Sequence, residues 1–244
     1  MELSGNTILI TGGASGIGFG LAERFAACGN NVIICGRRRD KLDEAIARIP
    51  SAKTRVADIA QHTHRRELFE WVAAEFPETN VLVNNAGIQR RSDIREKETW
   101  DVTHSEIAIN LEAPIDLARL FYAHLASKPS AAIINVTSGL SFAPLANVPV
   151  YCATKAALHS FTLSLRHQTA SSAVEVIEVI PPAVDTDLGG PGLHTFGVGL
   201  DEFSDAVFEG LERGDTEIAY GTALTASRAD RDELAAIFTR MNGS

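Results

Sequence analysis

The residues best suited to proton chemistry gather in one short stretch, YCATK at positions 151–155, where a tyrosine and a lysine stand four residues apart beside a cysteine. On a helix that spacing puts both side chains on one face. A free phenol has a pKa near 10, too high for a good base at neutral pH. An ammonium roughly 5 Å away, at an effective dielectric of about 20, favours the phenolate by about 3 kcal/mol and brings proton transfer toward neutral pH. The chain has three tyrosines, and only Tyr151 has a lysine four positions on; Tyr122 and Tyr220 meet Ala126 and Leu224. Such pairs also decorate ordinary helix surfaces, so the surroundings must decide.

The elements that would position this pair follow from hydrophobic patterning. Short runs rich in Val and Ile recur at 7–10, 31–35, 54–57, 80–83, 131–136, 175–180 and 217–220. Several are apolar throughout, as expected of strands covered on both faces. Amphipathic stretches such as GIGFGLAERFAACG and DKLDEAIARI lie between them. The alternation predicts a doubly wound α/β fold with a mostly parallel seven-stranded sheet. No linker, low-complexity tract or repeat interrupts residues 1–244, so one domain is expected. Its cofactor half would span about 1–130 and its catalytic and substrate half about 131–244.

Composition narrows the function. The chain is 45% hydrophobic and 22% charged, as in globular proteins, and no run approaches a membrane span. The first residues lack the basic and long apolar regions of a signal peptide. Cys28, Cys35 and Cys152 have no metal-like or paired spacing. A reduced cytoplasmic protein without a metal is expected, and nothing near Cys152 in sequence is arranged to activate it. The net charge of −9 argues against nucleic acid or an anionic membrane as a partner. The cluster Arg37–Arg39 is a local exception.

The first strand runs into TGGASGIG, so that Gly12, Gly16 and Gly18 follow a strand and open a helix. That is the setting of a phosphate-binding turn: glycine lets the backbone approach a pyrophosphate while free helix N–H groups face the anion. A dinucleotide fold usually has an acid at the end of the second strand to hold ribose hydroxyls. Here Gly36 occupies that place, followed by Arg37 and Arg38, and Asp40 comes too late, reading as a helix N-cap with Asp43 at the third helical position. Guanidinium without carboxylate, chiefly that of Arg37 with help from Arg38, favours a ribose 2′-phosphate, hence NADP(H) over NAD(H). A solvated basic loop is the alternative.

With these residues in view, the chain resembles the single-domain short-chain dehydrogenase/reductases over essentially its whole length. The motifs run in that family's order: TGGASGIG (11–18), DI (58–59), NNAG (84–87), Asn110, NVTS (135–138), YCATK (151–155) and PPAVDT (181–186). Within the family it is similar to the oxidoreductases encoded in lipoteichoic-acid D-alanylation operons, on the strength of PPAVDTDL and VLVNNAGIQ.

The resemblance implies roles. Gly12, Ser15, Gly16 and Ile17 would line the pyrophosphate and ribose. Asp58 and Ile59 would flank the adenine, and Asn85, Ala86 and Gly87 would wall the adenosine half. Pro181, Val184 and Thr186 would lead to the nicotinamide carboxamide, although the family usually has Pro-Gly where this chain has Pro181-Pro182. Ser138 would hold the substrate oxygen while Tyr151 exchanges a proton, with Ser141 as the nearby rival. Lys155 would tune Tyr151 and touch the nicotinamide ribose, and Asn110 would hold a water beside it, unless Asn110 merely kinks or caps a helix. The reaction implied is hydride transfer between the nicotinamide and a carbonyl or alcohol. A dinucleotide-binding sensor or scaffold without turnover is the alternative, and its usual signature, a damaged tetrad or glycine loop, is absent.

The substrate that the resemblance implies is a small carbonyl or alcohol of unspecified identity. Residues 188–200 hold five glycines and read as a lid. Leu140, Phe142, Leu145, Leu193 and Phe196 suggest an apolar pocket, while Arg90 and Arg91 either receive an anionic group or solvate a loop. The helix from Tyr151 carries Ala153, Ala156, Ala157, Ser160 and Phe161, a small-residue face. The family commonly pairs this helix and that of roughly 105–126 between subunits, implying a homo-oligomer, a tetramer or dimer.

Overall fold

Alternation inside each strand decides which helices cover which face. The computed structural model describes residues 1–97 and 99–243; Glu98 and Ser244 lie outside the described residues. The strands are β1 (Thr7–Thr11), β2 (Asn31–Gly36), β3 (Lys53–Val56), β4 (Thr79–Asn84), β5 (Ala131–Val136), β6 (Val174–Ile180) and β7 (Glu217–Ala219). They form a seven-stranded sheet in the order β3-β2-β1-β4-β5-β6-β7. Every pairing is parallel. All seven Val- and Ile-rich runs therefore become strands, each within one residue of the expected bounds.

On one face, Ile8, Ile10, Val81, Val83, Ile177 and Val179 pack with Phe25 of α1 (Gly16–Ala27), Leu42 of α2 (Arg39–Arg48) and Phe203 of α7 (Leu200–Glu212). On the other, Leu9, Leu82, Ile133 and Val176 pack with Leu68 of α3 (His62–Glu75), Phe121 of α5 (Ala113–Ala126) and Leu165 of α6 (Pro149–Thr169). The period of two thus divides one apolar strand between two cores. A right-handed crossover between parallel neighbours requires helices on both faces, and the order turns around at β1 and β4.

Local details depart from expectation. Asp40 is not an N-cap: α2 starts at Arg39 with Arg38 in the cap position, and Asp40 sits inside the first turn. There its carboxylate faces the positive helix end instead of bonding a free N–H. Helix α6 begins at Pro149, two residues before Tyr151, because proline suits a first turn. The stretch 105–126 is not one regular helix. Helix α4 (Trp100–Ile107) passes through a π-helical turn (Ala108–Glu112) into α5. Two short helices, α8 (Gly221–Arg228) and α9 (Arg231–Asn242), follow β7. No helix among the described residues is long and apolar enough to cross a membrane.

Candidate active site

The glycine turn at the end of β1 is built from close approaches. Gly12 has φ +64° and Gly16 φ +54°, the left-handed region where a side chain is strained. A Cβ on Gly12 would stand 2.8 Å from Ala86 Cα, and one on Gly18 would stand 2.2 Å from Asn85 Nδ2. Asn85 in turn donates to the carbonyls of Thr11 at 3.0 Å and Gly12 at 3.3 Å. The Thr11 hydroxyl accepts the Asn85 and Ala86 N–H groups, each at 3.1 Å. NNAG is therefore stapled to the glycine turn, and Gly18 serves that packing. It is not among the residues lining the cavity, contrary to the sequence expectation.

A cavity of about 540 Å³ opens over these strand ends. Gly12, Ser15, Gly16, Ile17, Arg37, Arg38, Asp58, Ile59, Asn85, Ala86, Gly87, Tyr151, Lys155, Pro181 and Thr186 all line it. Val184 is not among its lining residues: it is 4% exposed, bridges Val198 and packs into the core. Arg38 donates to Ser15 Oγ at 2.9 Å, fixing a guanidinium against the start of α1. Lys41, on the first turn of α2, adds a third basic lining residue that sequence reading missed. Its signal was the spacing of three from Arg38, obscured because Lys41 pairs with Glu44 at 2.7 Å.

At the inner end, Tyr151 and Lys155 are 5% and 4% exposed. Burial pushes the phenol well above its ordinary value, with Cys152 and Glu106 adding to the rise and hydrogen bonding with Ser138 opposing it. The near-neutral phenol expected from the lysine is thus not what the protein's own groups produce. Lys155 Nζ lies 5.8 Å from the Tyr151 ring centre and donates to the Val136 carbonyl at 2.7 Å. Burial pulls the lysine down to about 8. Burial also raises the Cys152 thiol, so it is not activated. Ser138 is 6% exposed; its Oγ accepts the Leu140 N–H at 3.1 Å and it meets the site through Tyr151.

Asn110, fully buried on the π turn, holds Ile88 at both ends. Its Oδ1 accepts the Ile88 N–H at 2.9 Å, and its Nδ2 donates to the Ile88 carbonyl at 2.8 Å and to Thr154 Oγ1 at 3.2 Å. A Cβ on Gly87 would lie 3.4 Å from Asn110 Oδ1 and 3.7 Å from Lys155 Nζ, so glycine keeps the space between them open.

The expected apolar pocket is only partly assembled. Leu140 and Leu145, with Leu188, pack around Val148, Tyr151 and Cys152. Phe142 turns away and meets the His159 ring edge-on at 4.7 Å. Leu193 and Phe196 are 42% and 77% exposed. They belong to a turn-rich segment whose glycine at 197 lies against Ala183, which fixes its outer half elsewhere. Ser141 has a buried hydroxyl with no hydrogen-bond partner among the described residues and does not line the cavity. Gln89 and Arg90 do line it, and Arg91 does not.

A parallel sheet with a left-handed glycine turn after β1, a helix N-terminus beyond it and a cavity across the strand ends defines a dinucleotide-binding α/β protein. The cradle fits such a cofactor, since side chains at Gly12 or Gly16 would be strained where a pyrophosphate must approach. A family model for short chain dehydrogenases matches residues 6–193, and the chain belongs to that oxidoreductase family. It is 47% identical to the uncharacterized oxidoreductase DltE of Bacillus subtilis (strain 168), over 99% of this chain and 98% of that one. Among solved structures, a short chain dehydrogenase from Burkholderia cenocepacia J2315 in complex with NADP superposes with a TM-score of 0.85, at 27% identity and 100% coverage of both chains. A short-chain dehydrogenase from Sphingobium yanoikuyae in complex with NADPH gives 0.80, at 28% identity over 88% of this chain and 87% of that one.

Proposed function

We propose that the protein is an NADP(H)-dependent oxidoreductase that moves hydride between the nicotinamide and a carbonyl or alcohol, with Tyr151 as general acid and base. The observation that carries this reading is one cavity with two chemically distinct ends. At one end Arg37, Arg38 and Lys41 stand without a carboxylate at position 36; at the other Tyr151 and Lys155 are buried together.

The cofactor would supply the hydride. The protein must then orient the substrate, exclude water and manage one proton. Tyr151, held protonated by burial, donates to the carbonyl oxygen as that oxygen gains charge, and takes the proton back in the oxidative direction. Ser138 holds the same oxygen. Lys155 remains mostly charged at pH 7 with a value of about 8, stabilises the phenolate as it forms and contacts the ribose. A water between Asn110 and Lys155, in the space Gly87 leaves, would return the proton from solvent.

At the other end, Gly12, Ser15, Gly16 and Ile17 receive the pyrophosphate, and Asp58 and Ile59 flank the adenine. Arg38 and Arg37 receive the 2′-phosphate, while Pro181 and Thr186 face the nicotinamide side. Residues 188–200 close over a small-molecule substrate. We place the enzyme in the cytoplasm as a homo-oligomer, on its free thiols and on the exposed small residues of α6. The test is reduced-nicotinamide absorbance with a panel of ketones and alcohols and both cofactors. Turnover lost in Tyr151→Phe supports the reading; binding of cofactor without turnover of any panel member defeats it.

A further inference from the structure

Strand β6 reads VEVIEVI, and its side chains at 174 and 176 feed the apolar core beneath α5 and α6. The next residue on that face is Glu178, fully buried. A carboxylate placed there is costly unless it is paired and hydrogen-bonded. It is both. Glu178 Oε1 accepts the Thr137 hydroxyl at 2.7 Å, and His159 Nδ1 lies 2.9 and 3.0 Å from its two carboxylate oxygens.

The partners make this more than a satisfied charge. Thr137 immediately precedes Ser138, and its neighbour Val136 holds Lys155 through its carbonyl. Tyr151, Lys155 and His159 follow at intervals of four along α6, on one face. That face meets the end of β5 in three successive contacts: Tyr151 with Ser138, Lys155 with Val136, and His159 through Glu178 with Thr137. Glu178 and His159 touch none of the atoms expected to react.

We propose that His159 and Glu178 are positioning residues, a half-buried imidazole on a buried carboxylate that clamps α6 to the end of β5 and so sets how Tyr151 and Ser138 meet. The proposal rests on the reading of Tyr151 as the proton donor. The couple is also sensitive to protonation. Glu178 from β6 and Glu217 from β7 favour the imidazolium, while burial and Arg166 on α6 disfavour it. The Phe142 ring covers it from the segment after β5. The balance raises His159 above its ordinary value. The clamp is therefore an ion pair below the folded-state value, and weakens as pH climbs through it.

The test uses full-length protein saturated with NADPH and two shape-preserving variants, Glu178→Gln and His159→Gln. Both are expected to lower kcat about ten- to hundredfold, as small misplacements of reacting groups do, with NADPH affinity by fluorescence titration unchanged. In the wild type kcat should fall as pH rises through the His159 titration, followed by NMR of the imidazole, and both variants should lose that fall. Wild-type kcat in both variants would overturn the proposal. So would kcat, NADPH affinity and melting temperature falling together, which marks a scaffold role only. A separate arm survives if no carbonyl is turned over at all. With ring-carbon-labelled tyrosine, and Tyr151 assigned through Tyr151→Phe, the Tyr151 resonance of the NADPH-bound protein should shift in both variants. An unshifted resonance overturns the clamp whether or not the proposed reaction is correct.

Discussion

Lys155 points its ammonium at the carbonyl of Val136, 2.7 Å away, and not at the phenol it is expected to tune. The lysine is thereby fixed by backbone at the end of a central strand, and Tyr151 lies one helical turn before it. The phenol proposed as proton donor and the lysine's charge are held by the same piece of sheet.

Replacing Tyr151 by Phe keeps the buried ring and removes only the hydroxyl. Turnover should fall by about 10²–10⁴, the usual worth of a positioned acid. Cofactor affinity, measured by fluorescence titration, should stay near wild type. Near-native turnover would remove Tyr151 from the mechanism.

Lys155 gives a pH signature in stability. Its folded value of about 8 lies below the ordinary 10.5, so between these values the unfolded chain binds more protons than the native one. Its contribution to stability therefore rises with pH across that window and is least below pH 8. In Lys155→Met this slope should vanish, a difference of at most a few kcal/mol between urea melts at either end of the window. Activity should be lost as well. An unchanged slope would show that the lysine is not buried in its charged form.

Cofactor preference should rest on Arg38 and Arg37. A charge-assisted contact with phosphate is worth about 1.5–3 kcal/mol, or roughly ten- to hundredfold in preference. The double change Gly36→Asp with Arg37→Ala should move kcat/KM toward NAD(H). Position 36 has room for the new carboxylate, since a Cβ there meets nothing nearer than Leu42 at 3.9 Å. Arg38→Ala should cost more than Arg37→Ala, because Arg38 is already held by Ser15. Equal use of both cofactors by the wild type would refute the assignment.

Gly18→Ala tests the packing reading of that glycine. Its methyl would press on Asn85 and on the Gly12 carbonyl, at 2.2 and 2.6 Å. A loss of about 1–3 kcal/mol in urea melts is expected, with weaker cofactor binding through the displaced NNAG segment. A fully stable variant that only loses cofactor would return Gly18 to the binding surface.

The exposed residues of α6 include Ala153, Ser160, Leu163 and Ser164. Light scattering at micromolar concentration should report a dimer or tetramer, and Ser160→Arg should dissociate it. A wild-type monomer would end that proposal.

The central strands were legible because strands covered on both faces are largely apolar, and few other elements are. Most residues that line the cavity were legible too, since glycine and arginine announce themselves by type. Val184 misled because its position in the motif is silent on which way its side chain turns. Phe142 misled for a related reason: an aromatic close after a candidate serine can equally cover a histidine, and His159 lies seventeen residues on. Lys41 was hidden by its helical ion pair. Glu178 looked like one polar break in a strand, and its meaning depends on partners from two other elements.

The π-helical turn at Ala108–Glu112 works as a gear between two helices that need different registers. Beyond it, Leu117, Phe121 and Leu125 must face the sheet; before it, Glu106 must stay buried beside the Arg90 N–H. A regular helix advances about 100° per residue, so one extra residue in the turn re-aims everything upstream. Asn110 is the tooth that this slip presents to Ile88 and Thr154. Deleting one residue there would heal the helix and leave the clasp on Ile88 empty, so the length of this stretch matters as much as the identity of Asn110.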